Sequence, residues 1–422
     1  MPTTLHHRPH HLAWLTEITQ LPTAAGREWR VADWIRRWVR ERPQLHLTDD
    51  AAGNLIVSFR NGAPPDPGLA GGEPRHQKPL FITAHLDHPA FVLERIVGPG
   101  TAELSFRGGV MDVFFENAPV ALFTRDDRRI RGTLTGALPS APGAPFKHYL
   151  AEFDTTDGAA VGDVAAWDLP AAEVIDGNLH TPACDDLAAV AAALCAMDLL
   201  REKAAAGEPV THTSLLFTRS EEIGFIGAIG ACKLGTMPRD ARVVALENSR
   251  AFDDSPVGGG PIVRVGDRMS IFDPRLTAAC ARRAEETFKR PAQPIASQTA
   301  ADIAKSETRP WQRKLMAGGA CEASVFCAYG YQATCLCLPL GNYHNMPHLA
   351  ELQAGTYDRD KLGPPRAARE FISLADFHGL VDLLVAIAEK LPSEDPVTER
   401  FEKLYADRRF VLEGEGVRPA NV

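Results

Sequence analysis

The sequence lacks long hydrophobic runs, paired cysteine motifs and an excess of positive charge. Its longest apolar runs, such as AVAAALCAM and LLVAIA, are shorter than the roughly 20 residues that a membrane-spanning helix needs. The formal net charge is -9 at pH 7, and an acidic surface is poorly suited to nucleic acid or to an anionic membrane. We therefore expect no membrane segment and no nucleic-acid partner.

The sequence contains 8 cysteines, but no two of them have the CxxC spacing of a zinc ribbon. Most lie within apolar segments, which predicts buried free thiols in a reducing compartment. The N-terminal segment MPTTLHHRPHHLAWL has neither the apolar stretch nor the small-residue cleavage site of a secretory signal. We therefore predict a cytoplasmic protein, and we interpret the HHRPHH cluster as a solvated arm rather than a metal site.

The composition is that of an ordinary globular protein. The chain has 422 residues, of which 45% are hydrophobic and 23% are charged, so disordered, collagen-like and small disulfide-stabilised proteins are excluded. From residue 183 onward, helical segments alternate with short apolar strands, which is typical of a parallel sheet covered on both faces. We predict an α/β fold with three α/β/α layers around a mostly parallel mixed sheet.

Residues 91–167 have a different pattern. They contain short alternating segments such as AELSFRG and RIRGTLTG, separated by Gly, Asp and Pro, and none of these segments has a helical period. This pattern predicts a small all-β insertion domain. The main domain is then discontinuous, formed by residues 1–90 and 168–391, and residues 392–422 form a charged C-terminal tail.

Two sequence motifs place polar residues where a strand ends, which is where ligands bind in α/β sheets. In FITAHLDHP, His85 ends a strand and Asp87 follows on the same face. A metal-bound histidine usually donates its other ring N–H to a carboxylate, so Asp87 could orient His85. The HxD pair alone is weakly specific. In LCLPLGNYHNMPH, a broken strand presents His344, with His348 near by, and an ordinary surface histidine is the alternative for each.

Paired carboxylates occur at two further positions. Asp185 and Asp186 precede a helix, where capping is the usual explanation, but their apolar flanks in ACDDLAAV suggest a buried pair that could bridge two metals. Glu221 and Glu222 follow a strand and repel each other unless a cation lies near them. One of these glutamates could bind metal while the other acts as general base.

ALENS adds Glu247 at another strand end. Together the motifs supply histidines and carboxylates at the strand ends of one domain. This is the set of ligands that a two-metal hydrolase needs, with metals about 3.5–4 Å apart. The glycines that follow Glu222 do not form GxGxxG, which argues against a dinucleotide site.

The order HxD, DD, EE, D/E, H resembles that of the co-catalytic dizinc aminopeptidase clan. More closely, the chain resembles the glutamyl, leucyl and deblocking aminopeptidases that assemble as tetrahedral particles. TAAGREWRVADWI, DDAAGNLIV and RGGVMDVFFENAPVALFT are similar to that family's first helix pair, hairpin and β insertion. The resemblance runs from about residue 12 to residue 391. It implies a zinc-exopeptidase-like catalytic domain, a peptide substrate and a homo-oligomer, with a dodecamer as the expected particle.

The resemblance also implies two divalent metal ions per chain, with zinc expected and cobalt or manganese as alternatives. Asp185 would bridge the two ions. His85 and Glu247 would complete one ligand set, and Glu222 and His344 the other.

By the same resemblance, Glu221 would be the general base and Asp87 would steady the first histidine ligand. The chain departs from the family pattern at several positions. HLDHP replaces the usual HxDE-x-G, Glu247 replaces an aspartate, and Cys321 and Glu322 stand where the family has Thr-Asp. These changes concern substrate specificity more than metal binding.

The function predicted from the sequence is a dimetal aminopeptidase. The alternatives are a carboxypeptidase, a dipeptidase or an N-deacylase that uses the same metals, because the fold does not determine the reaction. A binding or assembly protein with a decayed site is a further alternative, but the complete ligand set and Glu221 argue against it.

Overall fold

The computed structural model describes residues 7–62, 78–139, 143–292, 310–391 and 396–412. The helices are α1 (Arg8–Ile18), α2 (Trp29–Arg40), α3 (Leu187–Ala205), α4 (Ile226–Leu234), α5 (Pro274–Phe288), α6 (Glu322–Ala328), α7 (Leu349–Ala354), α8 (Arg359–Leu362), α9 (Leu374–Glu389) and α10 (Pro396–Arg408). The strands are β1 (Leu45–Asp49), β2 (Leu55–Phe59), β3 (Leu80–His85), β4 (Ala90–Gly98), β5 (Thr101–Arg107), β6 (Pro119–Phe123), β7 (Arg129–Leu138), β8 (Lys147–Phe153), β9 (Val164–Trp167), β10 (Glu173–Ile175), β11 (Asn178–Thr181), β12 (Thr213–Thr218), β13 (Arg242–Arg250), β14 (Ile262–Asp267), β15 (Gln312–Met316), β16 (Gln332–Leu340) and β17 (Glu370–Ser373).

The main domain is built on an 8-stranded sheet with the strand order β1-β2-β12-β3-β13-β16-β14-β15. The central strands β12, β3, β13 and β16 run parallel, while β2 and β14 pair antiparallel with this group. β3 is buried along its whole length because helices cover both faces of the sheet. Ile82 packs toward α1, α2, α3, α5 and α9, whereas Phe81 packs toward α4 and α6. The predicted three-layer α/β fold is confirmed.

The predicted all-β insertion is a closed barrel with the strand order β4-β5-β8-β7-β6-β9. Its interior is filled by aromatic side chains, among which the rings of Phe115 and Tyr149 stack with centroids 4.5 Å apart. Phe91 and Trp167 meet edge to face at 5.1 Å, an arrangement that suits the quadrupoles of aromatic rings. Closure leaves the barrel without a free sheet edge.

Two features lie outside the sequence prediction. A small antiparallel sheet, β10-β11-β17, joins the segment that follows the insertion to the C-terminal part of the main domain. In the described part of the N-terminal histidine cluster, the prediction of a solvated arm is wrong, because His7 occupies the N-cap position of α1 and His11 is only 1% exposed; His6 lies outside the described residues. The expectation failed since α1 packs on α3, a partner that is distant in sequence.

The C-terminal tail contains α10 and a short 3-10 helix, Arg409–Leu412, and its other residues lie outside the described ranges. Arg282 on α5 donates a hydrogen bond to Glu399 on α10 at 3.1 Å. Within the described ranges, no helix has the length and apolar character that would let it cross a membrane.

Candidate functional site

The chain topology brings the predicted site residues to one edge of the large sheet. His85 ends β3 and Glu247 lies near the end of β13. Glu221 and Glu222 follow β12, and His344 follows β16. Because these four strands are parallel, their carboxyl ends lie at the same edge, where α/β proteins bind ligands.

Asp185, just before α3, lies between the two histidines. Its Oδ1 is 3.4 Å from Nε2 of His85, and its Oδ2 is 3.3 Å from Nε2 of His344. The same nitrogen of His344 lies 3.3 Å from Oε1 of Glu222. The two oxygens of one carboxylate thus face two different ligand groups, which is the arrangement a bridging carboxylate requires.

Two groups of possible metal ligands share Asp185. One consists of His85, Asp185 and Glu247, and the other of Asp185, Glu222 and His344, with the ligand atoms in each group within 4.8 Å of one another. A third grouping, His85 with Glu221 and Glu222, overlaps both.

The site contains buried polar atoms that have no hydrogen-bond partner among the described residues. They include Nε2 of His85, Oδ1 of Asp185, Oε1 of Glu222 and Oε2 of Glu247. Buried polar atoms are costly unless they are paired. Imidazole and carboxylate donors suit zinc and related divalent ions. The residues present therefore fit two divalent cations.

Asp87 connects the first histidine to the glutamate pair. Its backbone carbonyl lies 3.1 Å from Nδ1 of His85, while its carboxylate Oδ1 lies farther away, at 3.6 Å. The carboxylate instead accepts hydrogen bonds from the backbone N–H groups of Glu221 and Glu222, at 2.9 and 3.1 Å. Asp87 therefore positions the loop after β12 through its side chain and faces His85 through its main chain.

Sequence reasoning missed two residues that support the ligands. Glu370 on β17 accepts hydrogen bonds from the backbone N–H of Asp185 at 3.0 Å and of His344 at 2.8 Å. His88 contacts the backbone oxygen of Asp185 through Nδ1 at 2.5 Å. His88 stands inside the HLDHP motif and could have been considered, whereas no local pattern marks Glu370.

The β-barrel also reaches the site. The backbone oxygen of Gly109, in the loop after β5, lies 2.7 Å from Nδ1 of His344. This contact fixes the ring so that Nε2 faces Asp185 and Glu222, because a metal-binding histidine is usually oriented by a hydrogen bond at its other ring nitrogen. The insertion thereby contributes to the geometry of the second ligand group.

The site concentrates ionisable groups in a buried place. Burial raises the pKa of Glu221 well above its usual range; His85 opposes this shift and the Glu222 carboxylate adds to it. Burial also raises the pKa of Asp185, but the neighbouring imidazoles of His344 and His85 outweigh this effect, so the pKa of Asp185 lies below its usual range. Shifts of pKa in opposite directions in neighbouring carboxyl groups are typical of sites where one carboxyl group stays ionised and another exchanges a proton.

Further acidic residues lie beside the ligand groups. Oδ2 of Asp186 accepts a hydrogen bond from the backbone N–H of His85 at 3.3 Å. Glu322 begins α6 and is buried, and burial raises its pKa to about 7. By contrast, His348 is not part of the site, since its side chain is 47% exposed and lies 3.6 Å from Glu351.

A cavity of about 630 Å³ adjoins Glu247. Its walls come from the barrel loop, the strand ends and α7, and they are mostly apolar. The apolar lining residues are Val110, Met111, Phe252, Met316, Met346 and Leu349.

Comparison with known proteins relates the chain to one family of peptidases. The model of the M42 glutamyl aminopeptidase family matches residues 151–290. The predicted resemblance to this family is confirmed. The matched segment carries Asp185, Glu222 and Glu247, while His85 and His344 lie outside it. A search of curated proteins finds no match.

Solved structures share the fold along most of the chain. PhTET1-12s, described as a dodecamer, is 21% identical with a TM-score of 0.63, and the match covers 90% of this chain and 99% of that one. Aminopeptidase APDkam598 from the archaeon Desulfurococcus kamchatkensis is 20% identical with a TM-score of 0.64, covering 90% and 95%. The TET1 peptidase of Pyrococcus horikoshii, described as assembling into a tetrahedron or a large octahedral shell, is 19% identical with a TM-score of 0.62, covering 90% and 100%.

At these identities the likeness establishes the fold. The family match supports the prediction that the chain is a hydrolase of the aminopeptidase class.

Proposed function

We propose that this chain is a metal-dependent aminopeptidase that removes N-terminal residues from peptides. The observation that carries the proposal is the set of unpartnered, buried nitrogen and oxygen atoms around Asp185, whose two oxygens face His85 and His344. His85, Asp185 and Glu247 would hold one divalent cation, and Asp185, Glu222 and His344 a second, with zinc the expected ion. When bound, such cations supply Lewis acidity to the scissile carbonyl and lower the pKa of the attacking water.

Glu221 is the proposed general base. Its Oε2 lies 4.0 Å from Nε2 of His85. Glu221 therefore lies beside the first ligand group but belongs to neither of the two groups that share Asp185. The raised pKa of Glu221, caused first by burial, suits a group that takes a proton from water and returns it to the leaving amine. Asp87 holds the backbone of Glu221 in place.

The cavity beside Glu247 is the proposed site for the side chain of the N-terminal residue. Its apolar walls favour a large apolar side chain, because burial of apolar surface supplies the binding energy. The backbone N–H of Met111 contacts Sδ of Met346 at 3.4 Å, which joins the barrel side of the cavity to the main-domain side.

A carboxypeptidase with the same metals is the alternative that the site must be tested against. Such an enzyme would need a free cation for the substrate carboxylate. Arg219 is engaged by Glu28 at 2.7 Å, whereas Arg250 donates to the neutral side chain of Gln353 at 2.7 Å and lines the cavity together with Arg264. The family match favours the aminopeptidase, and peptides blocked at either end distinguish the two activities.

We also propose a homo-oligomer, with the dodecamer as the expected particle, and a cytoplasmic location. Among the similar structures, PhTET1-12s is a dodecamer, and the TET1 peptidase of Pyrococcus horikoshii can assemble into a tetrahedron or a large octahedral shell. The C-terminal segment of this chain exposes Phe401 at 63%, Tyr405 at 58% and Phe410 at 66%. Light scattering of the purified full-length chain measures the assembly, and a monomer at micromolar concentration contradicts it.

The enzymatic proposal is tested by removing and restoring the metal. Purified protein should hydrolyse aminoacyl reporters, lose that activity in chelator and regain it with zinc, cobalt or manganese, with elemental analysis following the ions. Full activity in metal-free protein would contradict the proposal.

A further inference from the structure

A second cluster of histidines and carboxylates lies away from the sheet edge, where α1 packs on α3. His7 and His11 are four residues apart at the start of α1, and Asp198 and Glu202 are four residues apart on α3. Residues at this spacing lie on one face of a helix. The first turn of α1 is formed, since the backbone N–H of His11 donates to the backbone oxygen of His7 at 3.0 Å.

Three of these side chains lie close together, and Glu202 contacts one of them. The candidate ligand atoms of His7, His11 and Asp198 all lie within 4.8 Å of one another. Nε2 of His7 lies 3.1 Å from Oε2 of Glu202. The imidazole rings of His7 and His11 are stacked, with centroids 5.8 Å apart.

His11 supplies an independent sign that a ligand is missing. Its side chain is 1% exposed, yet its Nε2 has no hydrogen-bond partner among the described residues. A buried ring nitrogen without a partner is costly.

The neighbouring arginines engage only one oxygen of the Asp198 carboxylate. Arg42 and Arg201 both reach Asp198 through Oδ1, at 2.9 Å and 3.3 Å, so Oδ2 takes no part in these hydrogen bonds. Arg42 is also held against the rings of Trp14 and Trp38, at 4.9 and 3.9 Å from their centroids. Its guanidinium is therefore fixed on one side of Asp198.

We propose that His7, His11, Asp198 and Glu202 form a further divalent-metal site, separate from the proposed catalytic pair, that fastens α1 to α3. Two imidazoles with two carboxylates form a ligand set typical of zinc, which binds nitrogen and oxygen at about 2.0–2.2 Å in tetrahedral geometry. The site has a structural role, because all its ligands come from two packed helices that carry none of the proposed catalytic groups.

The test counts zinc in the full-length protein after dialysis against metal-free buffer. The variants are His7→Ala, His11→Ala and Glu202→Gln, and the matched control is His10→Ala, which removes an exposed histidine from the same helix. We expect the wild type and the control to bind one more zinc per chain than each of the three variants. Peptidase activity of His7→Ala and Glu202→Gln should match that of the wild type.

Thermal unfolding gives a second readout. Added zinc should raise the Tm of the wild type and of His10→Ala more than that of His7→Ala or Glu202→Gln, because a ligand that binds only the folded state stabilises it. His7 and Glu202 are 23% and 45% exposed, so their replacement should leave the fold intact even if the His11 variant is unstable.

Equal zinc content in the wild type, His7→Ala and Glu202→Gln would overturn the proposal. Loss of the extra zinc in His10→Ala would also overturn it, since it would indicate loose chelation by the histidine-rich segment. Because the readout is a difference of one ion between variants, it is independent of whether the catalytic site proves to bind two metals.

Discussion

The carboxylate of Asp87 accepts a hydrogen bond from the backbone N–H of Glu221 at 2.9 Å. One residue thus links the strand that ends in His85 to the loop that carries the proposed general base. Because both groups are buried, their relative position is set by this contact rather than by solvent.

Asp87→Asn should lower kcat by about 10–100-fold, the range for residues that orient metal ligands. In the wild type, the two carboxylate oxygens of Asp87 accept hydrogen bonds from the backbone N–H groups of Glu221 and Glu222. The asparagine amide has only one acceptor oxygen, so one of these two hydrogen bonds would be lost. Steady-state kinetics with elemental analysis measures this, and Asp240→Asn, an exposed carboxylate, is the control. Unchanged kcat would show that the loop holds its position without Asp87.

Glu221→Gln should retain the metals but lower kcat by at least about 10²-fold, the low end for loss of a general base. The amide keeps the shape of the side chain but cannot take a proton from water. Kinetics and metal content are measured on the same preparation. If the substitution removes metal and activity follows occupancy, the roles of Glu221 and Glu222 are exchanged.

Asp185→Asn should lose metal, because a neutral amide replaces the carboxylate whose two oxygens face His85 and His344. The matched control is Asp186→Asn, since Asp186 is equally buried but belongs to neither ligand group. Elemental analysis after dialysis should show lower occupancy in the first variant than in the second. Equal occupancy would argue against a bridging role.

The apolar cavity predicts that leucyl and methionyl reporters are cleaved with higher kcat/KM than glutamyl or lysyl reporters. Met111→Ala should lower kcat/KM for the leucyl reporter about tenfold or more, because lost apolar contact in a pocket costs about 1–3 kcal/mol. Val113→Ala, on the same loop but outside the cavity lining, is the control. A preference for acidic reporters, unaffected by Met111→Ala, would place the side-chain site elsewhere.

The fold and the main features of the site could be predicted because their signals are local. The helix and strand periods of the main domain, and the HxD, DD and EE pairs at strand ends, are visible in short stretches of sequence. Parallel strands end at one edge, so His85 and Glu222 could be expected to meet even though they are far apart in the chain.

The contacts that sequence reasoning missed join elements without a shared local pattern. Glu370 contacts Asp185 and His344 from a short strand in a sheet that was not expected. The predicted solvated arm was wrong because the burial of His11 depends on α3, which approaches only in the folded chain. Such pairings follow from tertiary packing, which a single sequence does not encode as a motif.

Hydrolysis of one good peptide substrate in three forms tests the central claim most directly. The forms have a free N-terminus, an acetylated N-terminus, or a free N-terminus with an amidated C-terminus. With metal-loaded protein, we expect acetylation to abolish cleavage and C-terminal amidation to change it little, with the N-terminal amino acid released first. Cleavage of the acetylated peptide, with resistance of the C-terminal amide, would contradict the aminopeptidase assignment and favour a carboxypeptidase.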